Sequence, residues 1–332
     1  MRPAPLQADL CVVGAGLAGL SAAVRAAQLG ARVLVLEQSA ETAYLCNSRM
    51  ANGMFHLALH SVLSGEEALV QAVDRATRGT ADPALVHALA AGAPRGVRWL
   101  QSLGVRFFRA SFEPHHNFTL APPATHRQGP YDVRWRAGDV MLRRLEAALL
   151  SHGGRILRGH RACELLMTQG QCTGVQGSAA QETFQIDAAA VVLADGGFQA
   201  NPQLLAHYGI SPQPERLVQR NARSARGDGL QMAVAAGAQL GDMLGFYGHL
   251  QCRDAITSDR LWPYPWLDLV AAAGILVGPD GRRFVDEGRG GVYLANRVAA
   301  LPDPLSAHVI FDAAFVHEAP AVRADEDAGR RH

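Results

Sequence analysis

At 332 residues the chain has room for about two domains of the usual roughly 100 to 200 residues each. Only 18% of it is charged and its formal net charge is +1, which gives no electrostatic footprint for nucleic acid or an acidic membrane, and with no lysine among its 31 cationic side chains a Schiff-base enzyme and a P-loop kinase are excluded. Five cysteines (Cys11, Cys46, Cys163, Cys172 and Cys252) form no C-x-x-C pair, which argues against zinc, iron–sulfur and disulfide frameworks and points to a reduced, cytoplasmic setting.

The first element is an apolar strand, Leu10 to Val13, that runs into Gly14-x-Gly16-x-x-Gly19 and then an alanine-rich helix. This strand, turn and helix context is what the dinucleotide fingerprint requires. Gly14 permits the tight turn, Gly16 lets the backbone approach a pyrophosphate, and Gly19 lets helix and strand pack closely. The anion then lies at a helix N-terminus, where unpaired N–H groups and the helix dipole favour it without a lysine. A second strand, Arg32 to Leu36, ends in Glu37, placed to accept from the ribose hydroxyls of an adenosine half and to repel a 2′-phosphate. The competing reading of Glu37 is a solvated strand-end carboxylate.

A loop from Ala40 to Gly53 follows, then helical patterns over Glu66 to Thr77 and Pro83 to Leu103. The segment Arg109 to Tyr131 is proline-rich and carries His115-His116, which suits a surface loop better than a shared metal site. Val140 to Leu150 predicts an amphipathic helix, and Arg155 to Leu157, Cys163 to Met167 and Thr183 to Ile186 predict short strands. Ala190 to Ala194 is unbrokenly apolar, as in a buried parallel strand, and closes on Asp195-Gly196-Gly197. Asp195 either lies beside a ligand there or caps a turn. Leu230 to Ala238 predicts another helix, and Gly274 to Glu287 predicts a strand, a Pro-Asp-Gly turn and a second strand. No apolar run reaches the roughly 18 to 20 residues of a membrane span, and no second GxGxxG is present to dock a nicotinamide cofactor.

The ordered stretches GAGLAGLSAAVRAAQLGARVLVLE, NSRMANG, AAAVVLADGGF, RGDGLQMAVAAGAQLGDM and GILVGPDGRRFVDEG resemble the FAD-dependent flavoproteins of the succinate dehydrogenase and fumarate reductase superfamily. RFVDEG and YGHLQC are most similar to its tricarballylate dehydrogenase branch. The resemblance implies an α/β fold: a Rossmann-like FAD-binding domain over residues 1–238 and a partial α+β capping domain over 239–332, with the family's C-terminal return segment absent. It implies FAD as cofactor, with pyrophosphate over Gly14, Ala15, Gly16, Leu17, Ala18 and Gly19 and adenosine against Glu37 and Gln38. Asn47, Ser48, Arg49, Met50, Ala51 and Gly53 would pass by the pyrophosphate and flavin, Ala162 would meet the adenine, and Ala194, Asp195, Gly196, Gly197 and Asp228 would also line the cofactor.

Family members move hydride between flavin N5 and a carbon–carbon bond beside a carboxylate. His249 falls at the position of a substrate-carboxylate ligand; the alternative for it is a satisfied core histidine. The family's Thr-Glu-x-x-Arg is replaced by Trp266-Leu267-Asp268-Leu269-Val270, and its proton-transfer arginine falls on Gly291. Arg289 is the nearest substitute as a carboxylate clamp, with Glu287 and Asp286 expected to orient it. The expected partners are a small-molecule carboxylate and a quinone or redox protein. Two rival readings are a truncated, catalytically silent FAD-binding module, suggested by the missing return segment and Gly291, and an NAD-dependent dehydrogenase using the single fingerprint.

Overall fold

Strand β1 (Leu6–Val13) is followed by helix α1 (Leu17–Gln28) and strand β2 (Val33–Glu37), the strand, helix, strand order that the glycine pattern predicts. This is a computed structural model, and it describes residues 5–51, 53–122, 133–217, 222–243, 245–258 and 267–312. The proline-rich segment beyond Pro122 through Tyr131 and the polar tail from Ala321 to His332 lie outside the described residues.

The chain next forms a one-turn helix α2 (Asn47–Met50), then two short antiparallel pairs: β3 (His56–Leu57) with β4 (His60–Ser61), and β5 (Phe107–Phe108) with β6 (Thr119–Leu120). Between these pairs lie α3 (Glu66–Thr77) and α4 (Pro83–Ser102). Asp82 caps α4 through the Ala84 and Leu85 amides and Pro83 occupies its first turn, so the start of that helix is set locally. Helix α5 (Ala137–Ser151) leads into β7 (Arg155–Arg158), β8 (His160–Thr168), β9 (Gln171–Ala179) and β10 (Glu182–Leu193).

The main sheet has six strands in the order β7-β2-β1-β10-β9-β8. β7, β2, β1 and the second half of β10 run parallel; β10, β9 and β8 form an antiparallel meander. Apolar side chains leave β1 and β2 on both faces, which is why these strands lack a polar alternation. Val12, Val33 and Val35 pack with Leu20 and Val24 of α1 and Leu142 and Leu145 of α5. Cys11, Val13, Leu34 and Leu36 pack with Ala162, Val175 and Ile186 from the meander.

Two stretches read separately in the sequence, Thr183 to Ile186 and Ala190 to Ala194, are one strand. Glu182 to Asp187 pairs with β9 and Ile186 to Leu193 with β1, so the ladder continues across the polar interruption at Asp187. Burial also corrects the expectation: Ala190 is exposed and Val191 to Leu193 are half-buried. β9 has no strand-like signal because its glycines are needed for packing. A Cβ on Gly177 would lie 2.1 Å from the Arg161 carbonyl oxygen, so the residue that the strand requires is one that weakens strand propensity.

The described residues divide into two compact units, one from 1–196 and 228–237 and the other from 197–227 and 238–332. The first holds the main sheet and α7 (Asp228–Ala235). The second contains α6 (Pro202–His207), α8 (Asp268–Ala273), β11 (Ile275–Val277), α9 (Gly291–Ala299) and β12 (His308–Ile310). Its core is Leu250, Ala271, Leu276, Leu294 and Ala295. β11 pairs antiparallel with β12 and meets the residues after the Pro-Asp-Gly turn at a single bridge, Val277 to Arg283; the turn itself is closed by the Gly278 N–H on the Arg282 carbonyl and the Gly281 N–H on the Gly278 carbonyl, each at 3.0 Å. Phe284 and Val285 are drawn into this core instead of extending a hairpin. No helix among the described residues is long and apolar enough to cross a membrane.

Candidate functional site

The fingerprint turn sits where three parallel strands end. The Gly14 N–H donates to the Leu36 carbonyl at 2.9 Å, and the Ala194 N–H donates to the Val13 carbonyl at 2.8 Å. β1, β2 and β10 therefore deliver Gly14, Glu37 and Ala194-Asp195 to the same edge, the carboxyl end where open α/β sheets hold ligands. Gly14 has φ of +98°, and a Cβ there would lie 2.6 Å from the Ala194 carbonyl oxygen and 2.7 Å from Asp195 Cα. Gly19 packs onto the Gly14 carbonyl with no room for a side chain, the close helix-to-strand approach expected of it.

Helix α1 has no acidic residue in its first turn. Its Leu17 N–H donates to Ser48 Oγ at 3.0 Å, tying α2 to the fingerprint. Gly16 also faces Ser48, whose Oγ lies 3.3 Å from where a Cβ would stand. A glycine-lined helix start with no acidic residue in its first turn fits a pyrophosphate.

Glu37 is buried, not solvated. Burial pushes its carboxyl above the ordinary value, opposed by hydrogen bonds from the Ser39 and Ala15 amides. The carboxylate thus braces the fingerprint loop as well as standing at the end of β2. A group held above its unfolded value contributes stability at low pH that is lost as pH rises through the folded value. In the apoprotein, Glu37→Gln is expected to remove a decline in unfolding free energy that begins above about pH 4.5, read as the difference between wild-type and variant denaturation midpoints across pH.

Asp195 takes the capping alternative: its Oδ2 accepts from the Gly229 N–H at 2.8 Å, at the start of α7. Asp228, expected to line the cofactor, makes a two-pronged pair with Arg161 at 2.7 and 2.8 Å. Ala162, the next residue of β8, is buried in the cluster that holds Leu34 and Leu36. Gln38, Ala18, Ala51 and Gly196 are exposed, and Met50 is half-buried. Gly53 has φ of +68° and packs against Leu120.

The Arg49 side chain departs from expectation. It is fully buried and cannot be offered to a ligand. Its Nη1 pairs with Asp139, its Nη2 with Glu146 at 2.8 Å, and its guanidinium stacks on Tyr44, 4.2 Å from the ring centroid. Arg158 reaches the other oxygen of Glu146 at 2.8 Å, and Tyr44 donates to the Ala15 carbonyl at 2.6 Å. Arg49 therefore holds the loop from behind and links it to the fingerprint. Tyr44, Asp139 and Glu146 carry no motif, and only the pairing of a lone arginine with distant carboxylates, a three-dimensional fact, reveals them. α5 approaches this loop so closely that a Cβ on Gly138 would lie 2.2 Å from the Ser48 carbonyl oxygen.

In the second unit, Gly197 accepts from the Gly227 N–H at 3.1 Å. His249 is half-buried, with Nδ1 2.6 Å from Asp268 Oδ2 and Nε2 3.2 Å from the Tyr247 hydroxyl. Asp268 fills the volume beside Gly291, where a Cβ would stand 2.0 Å from the carboxylate carbon. Trp266 lies outside the described residues. Arg289 is exposed and stacks over Tyr293 at 3.7 Å. The expectation that Glu287 orients Arg289 is corrected: Glu287 is buried, accepts from the Leu276 N–H at 2.7 Å and pairs with Arg283 at 2.5 Å. Asp286 accepts from the Gly288 N–H, 3.1 Å away. Among the described residues no group of histidine, cysteine and carboxylate side chains is arranged to hold a metal ion.

A family model described as FAD binding domain matches residues 9–324. Vinyl phenol reductase of Lactiplantibacillus plantarum is 30% identical over 303 residues, covering 84% of this chain and 56% of the relative. The cytochrome-type fumarate reductase of Shewanella frigidimarina is 25% identical over 296 residues, covering 84% of this chain and 48% of the relative. The chain thus spans about half the length of these curated relatives. Among solved structures, 3-ketosteroid-Δ4-(5α)-dehydrogenase of Rhodococcus jostii superposes with a TM-score of 0.68 at 21% identity, covering 96% of this chain and 70% of that one.

Proposed function

The chain belongs to the FAD-binding domain family of the succinate dehydrogenase and fumarate reductase flavoproteins, and on that premise we propose that it is an FAD-dependent oxidoreductase acting on the carbon–carbon bond of an organic carboxylate. One observation carries this reading: Gly14, Glu37, Ser48 and Ala194-Asp195 converge at the carboxyl end of the parallel strands, around a helix whose first turn holds no acidic residue. FAD, when bound, supplies hydride transfer at its N5. The chain's own residues bind and orient. The α1 amides and the Gly14–Gly19 turn hold the pyrophosphate, Glu37 takes the ribose, and the loop around Ser48 stands beside them.

Residues 1–238 would serve the cofactor and 239–332 the substrate. Arg289 is the carboxylate clamp of this reading: its guanidinium is exposed, always charged and able to donate two parallel bonds. With both ring nitrogens engaged by neighbouring side chains, His249 is better placed to act through Tyr247 than to grip a carboxylate itself. The electron partner would be a quinone or another redox protein. A second reading, an FAD-binding module that turns nothing over, is favoured by Gly291, where the family's arginine is missing and Asp268 fills the space.

The visible spectrum of the purified chain, with and without added FAD, followed by identification of the released chromophore, tests the cofactor. Flavin bleaching by, or reoxidation with, fumarate, tricarballylate and urocanate tests the reaction. Release of FAD together with a response to one of these acids supports the proposal. Bound FAD that responds to none of them favours the silent module, and uptake of NADH in place of flavin overturns both.

A further inference from the structure

Three side chains of the second unit line up as phenol, imidazole and carboxylate. Asp268, at the start of α8, accepts from the Leu250 N–H through Oδ1 at 2.9 Å and meets His249 Nδ1 through Oδ2 at 2.6 Å. Nε2 of the same ring lies 3.2 Å from the Tyr247 hydroxyl, and the two rings pack edge to face with centroids 5.1 Å apart. The line has a direction. Asp268 and His249 side chains are 19% and 20% exposed, whereas Tyr247 is 82% exposed, so the hydroxyl is the end that a substrate can reach. An ionised carboxylate only accepts, so Nδ1 carries a proton and Nε2 is left to exchange one with the phenol.

Gly291 makes this line possible. A Cβ there would stand 2.0 Å from Asp268 Cγ and 2.3 Å from its Oδ2, so any side chain at 291 would displace the carboxylate that anchors His249. The substitution that removes the family's arginine is thus the one that admits a different proton-handling group.

We propose that Tyr247 is the proton-transfer residue of this enzyme, with His249 and Asp268 as positioning residues behind it; the proposal rests on the oxidoreductase reading above. In the reductive direction one carbon of the double bond receives two electrons as hydride, and Tyr247 gives its hydroxyl proton to the other carbon. The phenol oxygen then takes the Nε2 proton of His249. His249 draws that Nε2 proton from water, while its Nδ1 proton stays with Asp268. The substrate gains one hydride and one proton. In the oxidative direction the same steps run backwards and Tyr247 is the base.

The test uses the FAD-loaded full chain with Tyr247→Phe and Asp268→Asn. Tyr247→Phe is expected to lower turnover by about 100- to 10,000-fold, the range of general acid–base catalysis, with FAD content and substrate dissociation constant close to wild type. A second readout needs no turnover: tyrosinate absorbance on alkaline titration, with the Tyr247→Phe trace subtracted to isolate one phenol. The titratable described groups acting on that phenol are His249, through the hydrogen bond, and Asp268, whose negative charge opposes its ionisation. Asp268→Asn is therefore expected to let Tyr247 ionise at lower pH. An active enzyme whose Tyr247→Phe variant keeps wild-type turnover overturns the proposal, as does a Tyr247 titration unchanged by Asp268→Asn. A chain that binds FAD, shows the titration shift and acts on no carboxylate overturns the functional reading first and this one with it.

Discussion

The Gly14→Ala variant is expected to lose FAD and to melt well below the wild-type chain. Two independent penalties meet at this residue. Its φ of +98° is a conformation that a Cβ makes costly, by about 1 to 3 kcal/mol. The added methyl would also press on the Ala194 carbonyl oxygen at 2.6 Å and Asp195 Cα at 2.7 Å. Both are backbone atoms and cannot rotate away, so overpacking adds roughly another 1 to 3 kcal/mol. Relief requires the fingerprint turn to separate from the end of β10, which breaks the surface that meets the pyrophosphate. At about tenfold per 1.4 kcal/mol, even half of that sum moves FAD affinity by one to two orders of magnitude. The control is Gly92→Ala within α4, where nothing lies within 4 Å of the added carbon. There the helix preference for alanine predicts a gain of up to about 1 kcal/mol. FAD titration and thermal melting of the two variants decide the matter, and a Gly14→Ala protein that binds FAD like wild type would show that the two turns are not in functional contact.

The same glycines explain how much was legible beforehand. Gly14, Gly16 and Gly19 have sequence spacing because each answers a local need, a turn, an approach and a helix contact, all within one strand and helix. Glu37 was legible for a similar reason, since the length of α1 fixes where the second strand ends. The Asp195 cap was visible only as an alternative, because choosing between a ligand and an amide needs the position of α7. Gly138 and Gly177 carried no signal. Each is small because backbone from a remote segment passes over it, Ser48 in one case and Arg161 in the other, and no local pattern records that. Glu287 was misassigned on proximity: a single residue separates it from Arg289, yet Arg283 on the preceding turn takes its carboxylate. The line of Tyr247, His249 and Asp268 was half visible, since the histidine was singled out for its position while its partners, 2 residues before it and 19 after, were not.

Arg49→Ala is expected to be the most destabilising change outside the fingerprint, because the guanidinium is fully buried. Removing it leaves Asp139, whose side chain is fully buried, held by the half-exposed Arg143 at 2.9 Å and the Trp135 N–H at 3.0 Å among the described residues. Breaking a buried pair from one side costs about 3 to 5 kcal/mol, because the surviving charge stays out of water. Glu146 is cushioned by Arg158, so the loss falls mainly on Asp139. It follows that deleting the second charge should restore part of what deleting the first removed. The Arg49→Met, Asp139→Asn double variant is expected to be more stable than the sum of its single variants, by about 0.5 to 3 kcal/mol in a double-mutant cycle. Lysine should not substitute for Arg49, since a single ammonium cannot reach Asp139 and Glu146 while stacking flat on Tyr44. The consequence for the cofactor is indirect but directional. With the anchor gone, α2 is freed from α5, and Ser48 loses its fixed place beneath the Leu17 amide. FAD affinity should then fall in step with stability across Arg49→Ala, Arg49→Lys and the double variant. A variant with wild-type melting and weakened FAD binding would instead place Arg49 in direct contact with the cofactor, against its burial.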